Sequence, residues 1–394
     1  LNALWYILLR VMKIVIAPQT FKGSISALDV ANAMRDGVSR VVEEAEIVLV
    51  PVADGGDGTL ETLVDGSGGE IRTVQVTGPL GEARNASWGA LGDGSTAIIE
   101  MARTSGLALV PPTQLNPLIT TTYGLGEAIT AAFDDGYRRF IIGIGGSATN
   151  DAGAGMAQAL GVRLLDQNGV SLPSGGSALA RLSRIDLTDL DTRARESTFL
   201  VACDVNNPLT GPEGASAIYG PQKGATPDMI EELDAALTNF AEVVKRDIGV
   251  EINDLAGSGA AGGLGGGFVA FLGASLRAGV DIVLDTVDLD SHLKGADLVL
   301  TGEGSLDSQT IYRKAPIGVA ERAAARDIPV VAINGSLGDE YEIVHQHGIH
   351  AATAIPSGPM SLEEASERAA DLISDCTQET MRMLMVGARV FGKN

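Results

Sequence analysis

The chain is poor in cysteine, histidine, aromatic rings and basic residues. Two of its 394 residues are cysteine, four are histidine and 4% are aromatic. Cys203 and Cys376 lie far apart and form no C-x-x-C pair, and the histidines are scattered. That argues against a disulfide framework or a structural zinc site and fits a reducing cytoplasm. Lys and Arg number 28 against 50 Asp and Glu, a formal net charge of −22. Nucleic-acid affinity comes largely from Lys and Arg displacing counterions, so nucleic acid is not an expected partner. A small anionic substrate is compatible with this charge, because a few N–H groups and one or two lysines make a local positive pocket in a negative surface. The opening stretch LNALWYILLRV, residues 1–11, is apolar. It falls short of the roughly 20 residues that span a bilayer and has no clear small-residue cleavage site. Met12 leads directly into the strand-like KIVIAP, so residues 1–11 read as an N-terminal extension and no membrane partner is expected.

What is abundant points to a layered α/β fold. Hydrophobic residues make up 45% of the chain, and Gly, Ala, Val, Ile and Leu dominate, as in parallel sheets covered by helices. The length exceeds the usual single core and favours two domains. Short apolar runs followed by Gly, Ser, Asp or Asn loops and amphipathic stretches repeat at both ends of the sequence, the pattern of βα units. Ile14 to Ile16 form a strand ended by Pro18, and Ile25, Leu28, Ala31, Met34, Val38 and Val41 recur at helical spacing behind a Ser26–Asp29 cap. From Ile71 the segments become hairpin-like, with Gly, Pro and Asp turns. After Val287 the βα rhythm returns in ADLVLTGEG, IPVVAINGS and HAATAIPSG. The expected architecture is a doubly wound, Rossmann-like parallel-sheet domain, residues 12–71 and 286–394, interrupted by an inserted mixed α/β domain, residues 72–285.

Ligands of open α/β sheets sit beyond the carboxyl ends of strands, so the polar loops after apolar runs are the candidate sites. Ala53 to Thr59 (ADGGDGT) joins Asp54 and Asp57 to three glycines and suits magnesium or a hydroxyl, or else a turn capped by Asp57. Gly143 to Asp151 (GIGGSATND) enters a helix, where free N–H groups can hold a phosphate or carboxylate. It also fits G-x-G-x-x-A, with Asp166 at dinucleotide-binding spacing, although Asp151 would repel a pyrophosphate there. Cys203 to Leu209 (CDVNNPL) offers Asp204, Asn206 and Asn207; a buried strand-end aspartate is costly unless paired, which favours a functional role for Asp204. Gly302 to Asp307 (GEGSLD) places Glu303 and Asp307 seven residues or more ahead of Lys314, a combination suited to a magnesium nucleotide. Lys22, Lys223 and Lys314 are the few cations in such loops. No Walker motif occurs, and the G-x-G-x-x-G at Gly257 to Gly262 follows no convincing strand.

Together the loops APQTFKGSISA, PVADGGDGT, VTGPLG, IGIGGSATNDAGAGMAQALG, VACDVNNPL, YGPQKGA, GAAGGLGGG, TGEGSLDSQ and APIGVA resemble the bacterial glycerate kinases of the first type, from Met12 almost to the C-terminus. The resemblance implies two α/β domains around a cleft, and transfer of a phosphoryl group from ATP, with magnesium, to D-glycerate. It further implies 2-phosphoglycerate as product, with 3-phosphoglycerate kept open. Three positions in the first loop depart from the family's usual PDSFKES: Gln19, Thr20 and Gly23. Arg313 stands where a glycine is usual, and Asn334 replaces a small residue.

Within that resemblance Asp204 is expected to accept the proton of the attacking hydroxyl, with Lys22 and Asp54 in the catalytic set. Asp54, Glu303 and Asp307 are expected at magnesium, and Gly302, Glu303, Gly304 and Lys314 at the nucleotide. Gly145, Gly146, Ser147, Asn150, Asp151, Asn206 and Lys223 are expected to hold glycerate or phosphate. The competing readings are a nicotinamide-dependent oxidoreductase built on GIGGSA and Asp166, and a non-catalytic sugar-acid-binding protein. A monomer and a homodimer are both compatible with the sequence.

Overall fold

The structure is a computed structural model and describes residues 11–56, 58–312 and 314–392. The expected extension, apart from Val11, and the residues Asp57 and Arg313 lie outside the described residues. The described residues divide into two compact units, one formed by those up to residue 54 and from residue 283 onward and the other by those between 55 and 282.

The first unit opens with β1 (Lys13–Ile16), α1 (Ala27–Ser39) and β2 (Glu46–Leu49). The second contains α2 (Thr59–Ser67), β3 (Glu70–Thr77), β4 (Ala83–Ala90), β5 (Thr96–Glu100), α3 (Tyr123–Asp134) and β6 (Arg139–Gly143). It continues through α4 (Ala154–Ala159), β7 (Arg163–Leu165), β8 (Arg184–Asp186), β9 (Thr198–Ala202), α5 (Ala215–Tyr219), α6 (Pro227–Asp247), α7 (Ala260–Leu272) and β10 (Ser275–Arg277). The chain then completes the first unit with β11 (Leu298–Thr301), β12 (Ser305–Leu306), α8 (Ala315–Ala324), β13 (Val330–Asn334), β14 (Ser336–Leu337), β15 (Ala351–Ala354) and α9 (Ala369–Phe391).

The sheet of the first unit is parallel throughout, in the order β15-β13-β11-β1-β2. Taken in chain order this is the 2-1-3-4-5 winding, not the 3-2-1-4-5-6 order of dinucleotide-binding sheets. Both types bind ligands where the strand order reverses, which here falls between β1 and β11. Ile14, Val15, Ile16, Val299 and Leu300 are fully buried, as continuous apolar strands covered on both faces must be. On α1 the Ser26 side chain accepts the Asp29 N–H, and Val30, Ala31, Met34 and Val38 form the buried stripe. Gly37 lets this helix approach α9 closely, since a Cβ there would lie 2.4 Å from the Ser374 carbonyl.

The second unit holds a mixed six-stranded sheet, β10-β9-β6-β5-β4-β3, in which β10, β9, β6 and β5 run parallel and β4 and β3 form an antiparallel edge. Its core includes Phe140 stacked on Phe199 at 4.8 Å and Trp88 edge-on to Tyr137 at 5.4 Å. The segment 55–71, expected with the first sheet, packs here instead. Leu60, Leu63 and Val64 of α2 are buried, Val64 lies over Gly89 of β4, and the Glu100 carboxylate accepts the Leu60 N–H at 3.1 Å. Among the described residues no helix is long and apolar enough to cross a membrane.

Candidate active site

A pocket of about 230 Å³ opens at the carboxyl ends of β6 and β9 in the second unit. Gly145, Gly146 and Ser147 line it from the loop after β6, Cys203 and Asp204 from the loop after β9, and Lys223 from the turn after α5. The first loop is pinned in place: Leu107 N–H donates to the Gly146 carbonyl at 2.8 Å and Ala148 N–H to Ser105 at 3.0 Å. Gly146 has a φ of +71°, a conformation that glycine adopts without steric cost.

Asp204 contradicts one expectation, for it is exposed. It is oriented by the backbone, its Oδ1 accepting the Gly279 N–H at 2.9 Å. Cys203 is partly buried and its thiol is pushed up by that burial, which makes it a poor nucleophile. Asn206 is exposed and does not line the pocket. Its neighbour Asn207 has the structural role, accepting the Tyr219 hydroxyl at 2.7 Å and donating to the Glu213 carbonyl.

Lys223 is buried, and its Nζ donates to the Thr149 carbonyl at 2.6 Å. Burial lowers its pKa from 10.5 to about 7, with the charge of Asp151 acting in the opposite direction. Asn150 is buried and does not line the pocket; its amide donates to Ser216 at 3.0 Å, while its Oδ1 has no partner among the described residues.

Asp151 departs from its expected place at the ligand. Its carboxylate accepts four hydrogen bonds, from Thr122 N–H and Oγ1 at 2.9 Å each and from the Gly153 and Gly155 N–H groups at 3.2 Å each. Burial pushes this carboxyl up while those donors pull it down. The amides at the start of α4 are therefore used by Asp151, and that helix end has little left for a phosphate. The dinucleotide reading loses its second support too, because Asp166 folds back on its own turn, accepting from Asn168 and Val170 N–H.

The turn that opens α7 is the third wall. Ala261, Gly262 and Gly263 have left-handed φ values of 53°, 71° and 89°, and a Cβ on Gly262 would lie 2.0 Å from the Thr149 carbonyl. Ala152 N–H donates to the Gly262 carbonyl. The glycine-rich turn around Gly262 is thus a packed clamp on the 149–152 backbone.

In the first unit the polar residues gather after β11, at the reversal point of the sheet. Glu303 is 6% exposed; it accepts the Thr310 hydroxyl at 2.7 Å and lies 3.8 Å from Lys314. Burial raises its pKa from 4.5 to about 7, opposed by Thr310 and Lys314. Lys314 also reaches Asp307 at 4.0 Å. Asn334, a departure from the resembled family, accepts the Glu303 N–H and donates to the Thr353 carbonyl, tying three strands' ends together. Gly302 is dictated by packing, since a Cβ there would lie 1.8 Å from the Ile333 carbonyl. Gly304 lies beside the backbone of Phe21 and Lys22. Lys22 is exposed and Asp54 half-buried.

Among the described residues no group of three or more His, Cys, Asp or Glu is arranged to hold a metal by itself. Magnesium carried by a nucleotide is usually bound by one or two carboxylates plus phosphate oxygens and water. Glu303 and Asp307, sharing Lys314, are a donor set of that kind.

Residues 14–385 match the glycerate kinase family. This chain belongs to that family. It is 51% identical to the glycerate kinase of Bacillus subtilis (strain 168), covering 96% of this chain and 100% of the relative. It is 49% identical to the glycerate 2-kinase of Escherichia coli (strain K12), covering 97% and 100%. A crystal structure from Salmonella typhimurium LT2, described as that of a candidate glycerate kinase 2, superposes with a TM-score of 0.90 at 49% identity, over 96% of this chain and 100% of that one. For this glycerate kinase family member, the residues that sequence reasoning missed are Thr122, Tyr219 and Thr310, together with the bonding role of Asn334. Each acts by a hydrogen bond to a residue of these loops, over separations of up to 31 residues, a role that leaves no local pattern.

Proposed function

We propose that the protein transfers the terminal phosphoryl group of ATP, with magnesium, to a hydroxyl of D-glycerate in the cytoplasm, and that the product is 2-phospho-D-glycerate. The supporting observation is the small pocket of the second unit, with a carboxylate on one wall and a buried lysine on another. Its volume of about 230 Å³ lies below the roughly 300–1,000 Å³ of pockets for drug-sized ligands, and suits a three-carbon acid better than a nucleotide. The name of the Escherichia coli relative, glycerate 2-kinase, supports the 2-phosphate over the 3-phosphate.

Phosphoryl transfer asks a protein mainly to align donor and acceptor and to neutralise charge. Asp204, held by the Gly279 amide, is positioned to orient the attacking hydroxyl and take its proton. The loose transition state makes proton removal late, so a carboxylate of ordinary acidity suffices. The loop after β6 spends the Gly146 carbonyl and the Ala148 amide on its own hydrogen bonds; the amides of Gly145, Gly146 and Ser147 and the Ser147 hydroxyl are assigned to the acceptor's carboxylate. In the first unit Gly302, Glu303, Gly304 and Lys314 are assigned to the nucleotide, with Lys22 supplying charge to its phosphates. Magnesium, when bound, offsets charge on the phosphoryl oxygens, and Asp54, Glu303 and Asp307 are the carboxylates that would hold it directly or through water.

Phosphorus NMR of the product made from ATP, magnesium and D-glycerate tests substrate, reaction and position together. The 2-phosphate resonance is the expected result, the 3-phosphate would overturn the regiochemistry, and ADP release that is unchanged by glycerate would overturn the kinase reading.

A further inference from the structure

Lys223 is an unusual wall residue. It is 1% exposed yet borders the pocket, and among the described residues its ammonium meets one acceptor, the neutral Thr149 carbonyl, and no carboxylate within ion-pair distance. Isolated buried ammonium groups are expensive unless paired with an anion, and otherwise shed their proton. Thr149, which holds that ammonium through its carbonyl, and the adjoining Asn150 are wholly buried, and their Oγ1 and Oδ1 atoms have no partner among the described residues. The ionisable groups around Lys223 supply only part of the missing counter-charge, that of Asp151. Asp151 already accepts four hydrogen bonds, burial keeps Cys203 and Tyr219 in their neutral forms, and Asp204 is directed to the Gly279 amide in exposed surroundings.

We propose that Lys223 is the anion receptor of this pocket and that it takes up a proton from solvent as the carboxylate of the acceptor acid binds. The inference rests on the assignment of this pocket to glycerate and goes further, naming which end of the acid meets which residue and a proton that accompanies it. The step balances simply: a neutral amine, a solvent proton and a carboxylate become an ammonium–carboxylate pair. The anion's arrival reverses the desolvation that disfavours the charged lysine, because the pair attracts strongly where water is excluded. Acid binding thereby weakens as pH rises. Its selectivity favours anions over neutral triols of the same size, since a neutral guest would leave the lysine uncharged.

The test is calorimetric titration of D-glycerate into the full chain without nucleotide, in buffers of differing ionisation enthalpy. With a lysine that titrates at about 7 when the pocket is empty, nearly one proton is expected to be taken up at about pH 8.5 and close to none at about pH 6. Lys223→Met, which fills the same space without charge, is expected to weaken glycerate binding at least ten-fold and to abolish the buffer dependence. Glycerate binding that is tight and unchanged in Lys223→Met, or absent from the wild type, overturns the assignment of the pocket itself. Binding that needs Lys223 but shows no buffer-dependent heat at about pH 8.5 overturns the proton uptake alone. If inorganic phosphate produces the uptake and glycerate does not, the anion is a phosphoryl group and the proposal fails.

Discussion

Replacing Lys223 by methionine makes a prediction about stability that needs no ligand. The lysine has a pKa of about 7 in the native state against an ordinary value of 10.5. Between these values the unfolded chain holds a proton that the native chain lacks, so wild-type stability rises with pH across that window. Below about pH 7 both states are protonated and the full cost of the buried charge is present. Each pH unit well inside the window is worth about 1.4 kcal/mol, and the integral from pH 7 to pH 9 comes to about 2 kcal/mol. The lysine is completely buried, so solvent screening does not reduce this figure. Other groups titrate in the same range, but they cancel in the difference between wild type and variant. Lys223→Met is therefore expected to be more stable than wild type at pH 7, with an advantage about 2 kcal/mol smaller at pH 9. Urea unfolding followed through the fluorescence of Trp88, which is buried in the same unit, measures the difference. An advantage that is constant with pH would show that Lys223 stays charged in the folded pocket, and the desolvation argument would be wrong.

Other substitutions separate positioning from packing. Gly262→Ala combines a φ of +71° with a Cβ 2.0 Å from the Thr149 carbonyl; it is expected to cost more than about 2 kcal/mol and lower the melting temperature by roughly 5 °C or more, which differential scanning calorimetry reads directly. Asp204→Asn keeps an oxygen for the Gly279 amide, so glycerate affinity should change by only a few-fold while kcat falls on the order of 10²-fold or more; near-normal turnover would remove Asp204 as the base. Glu303→Gln retains an acceptor for Thr310. Because the native state holds on to this proton between about pH 4.5 and about pH 7, wild-type stability falls as pH rises through that window, and the variant should lose that slope while also losing phosphoryl transfer, both measurable on one preparation.

Much of the fold could be read from local pattern. The strand at Ile14, the cap at Ser26 and the stripe Val30, Ala31, Met34 and Val38 are set by residues within a few positions of each other, so spacing suffices to find them. The loops after β6, β9 and β11 were legible as sites for the same reason, each being a short polar run after an apolar strand. What spacing could not supply is what meets over distance. Asp151 has the composition of a ligand residue, and only the arrival of Thr122 from 29 positions upstream makes it a structural keystone for α4. Asp204 was expected to be buried because it follows a buried strand, yet the chain emerges at that residue. The placement of residues 55–71 depended on whether Leu60 and Val64 would find β4 or the first sheet, and both partners are apolar. The left-handed turn at Ala261 has no signature, since alanine there is held by its neighbours and not by its own preference.

The pairing of β1 with β11 carries a consequence for biosynthesis. Ile14 lies beside Leu298, so one flank of β1 has no native neighbour until nearly three hundred more residues have left the ribosome. At typical translation speeds that is an interval of roughly 15 to 60 s. Meanwhile residues 55–282 form a continuous unit able to fold as they emerge, and an apolar strand with an open edge waits as a target for chaperones or for the same strand of a neighbouring nascent chain.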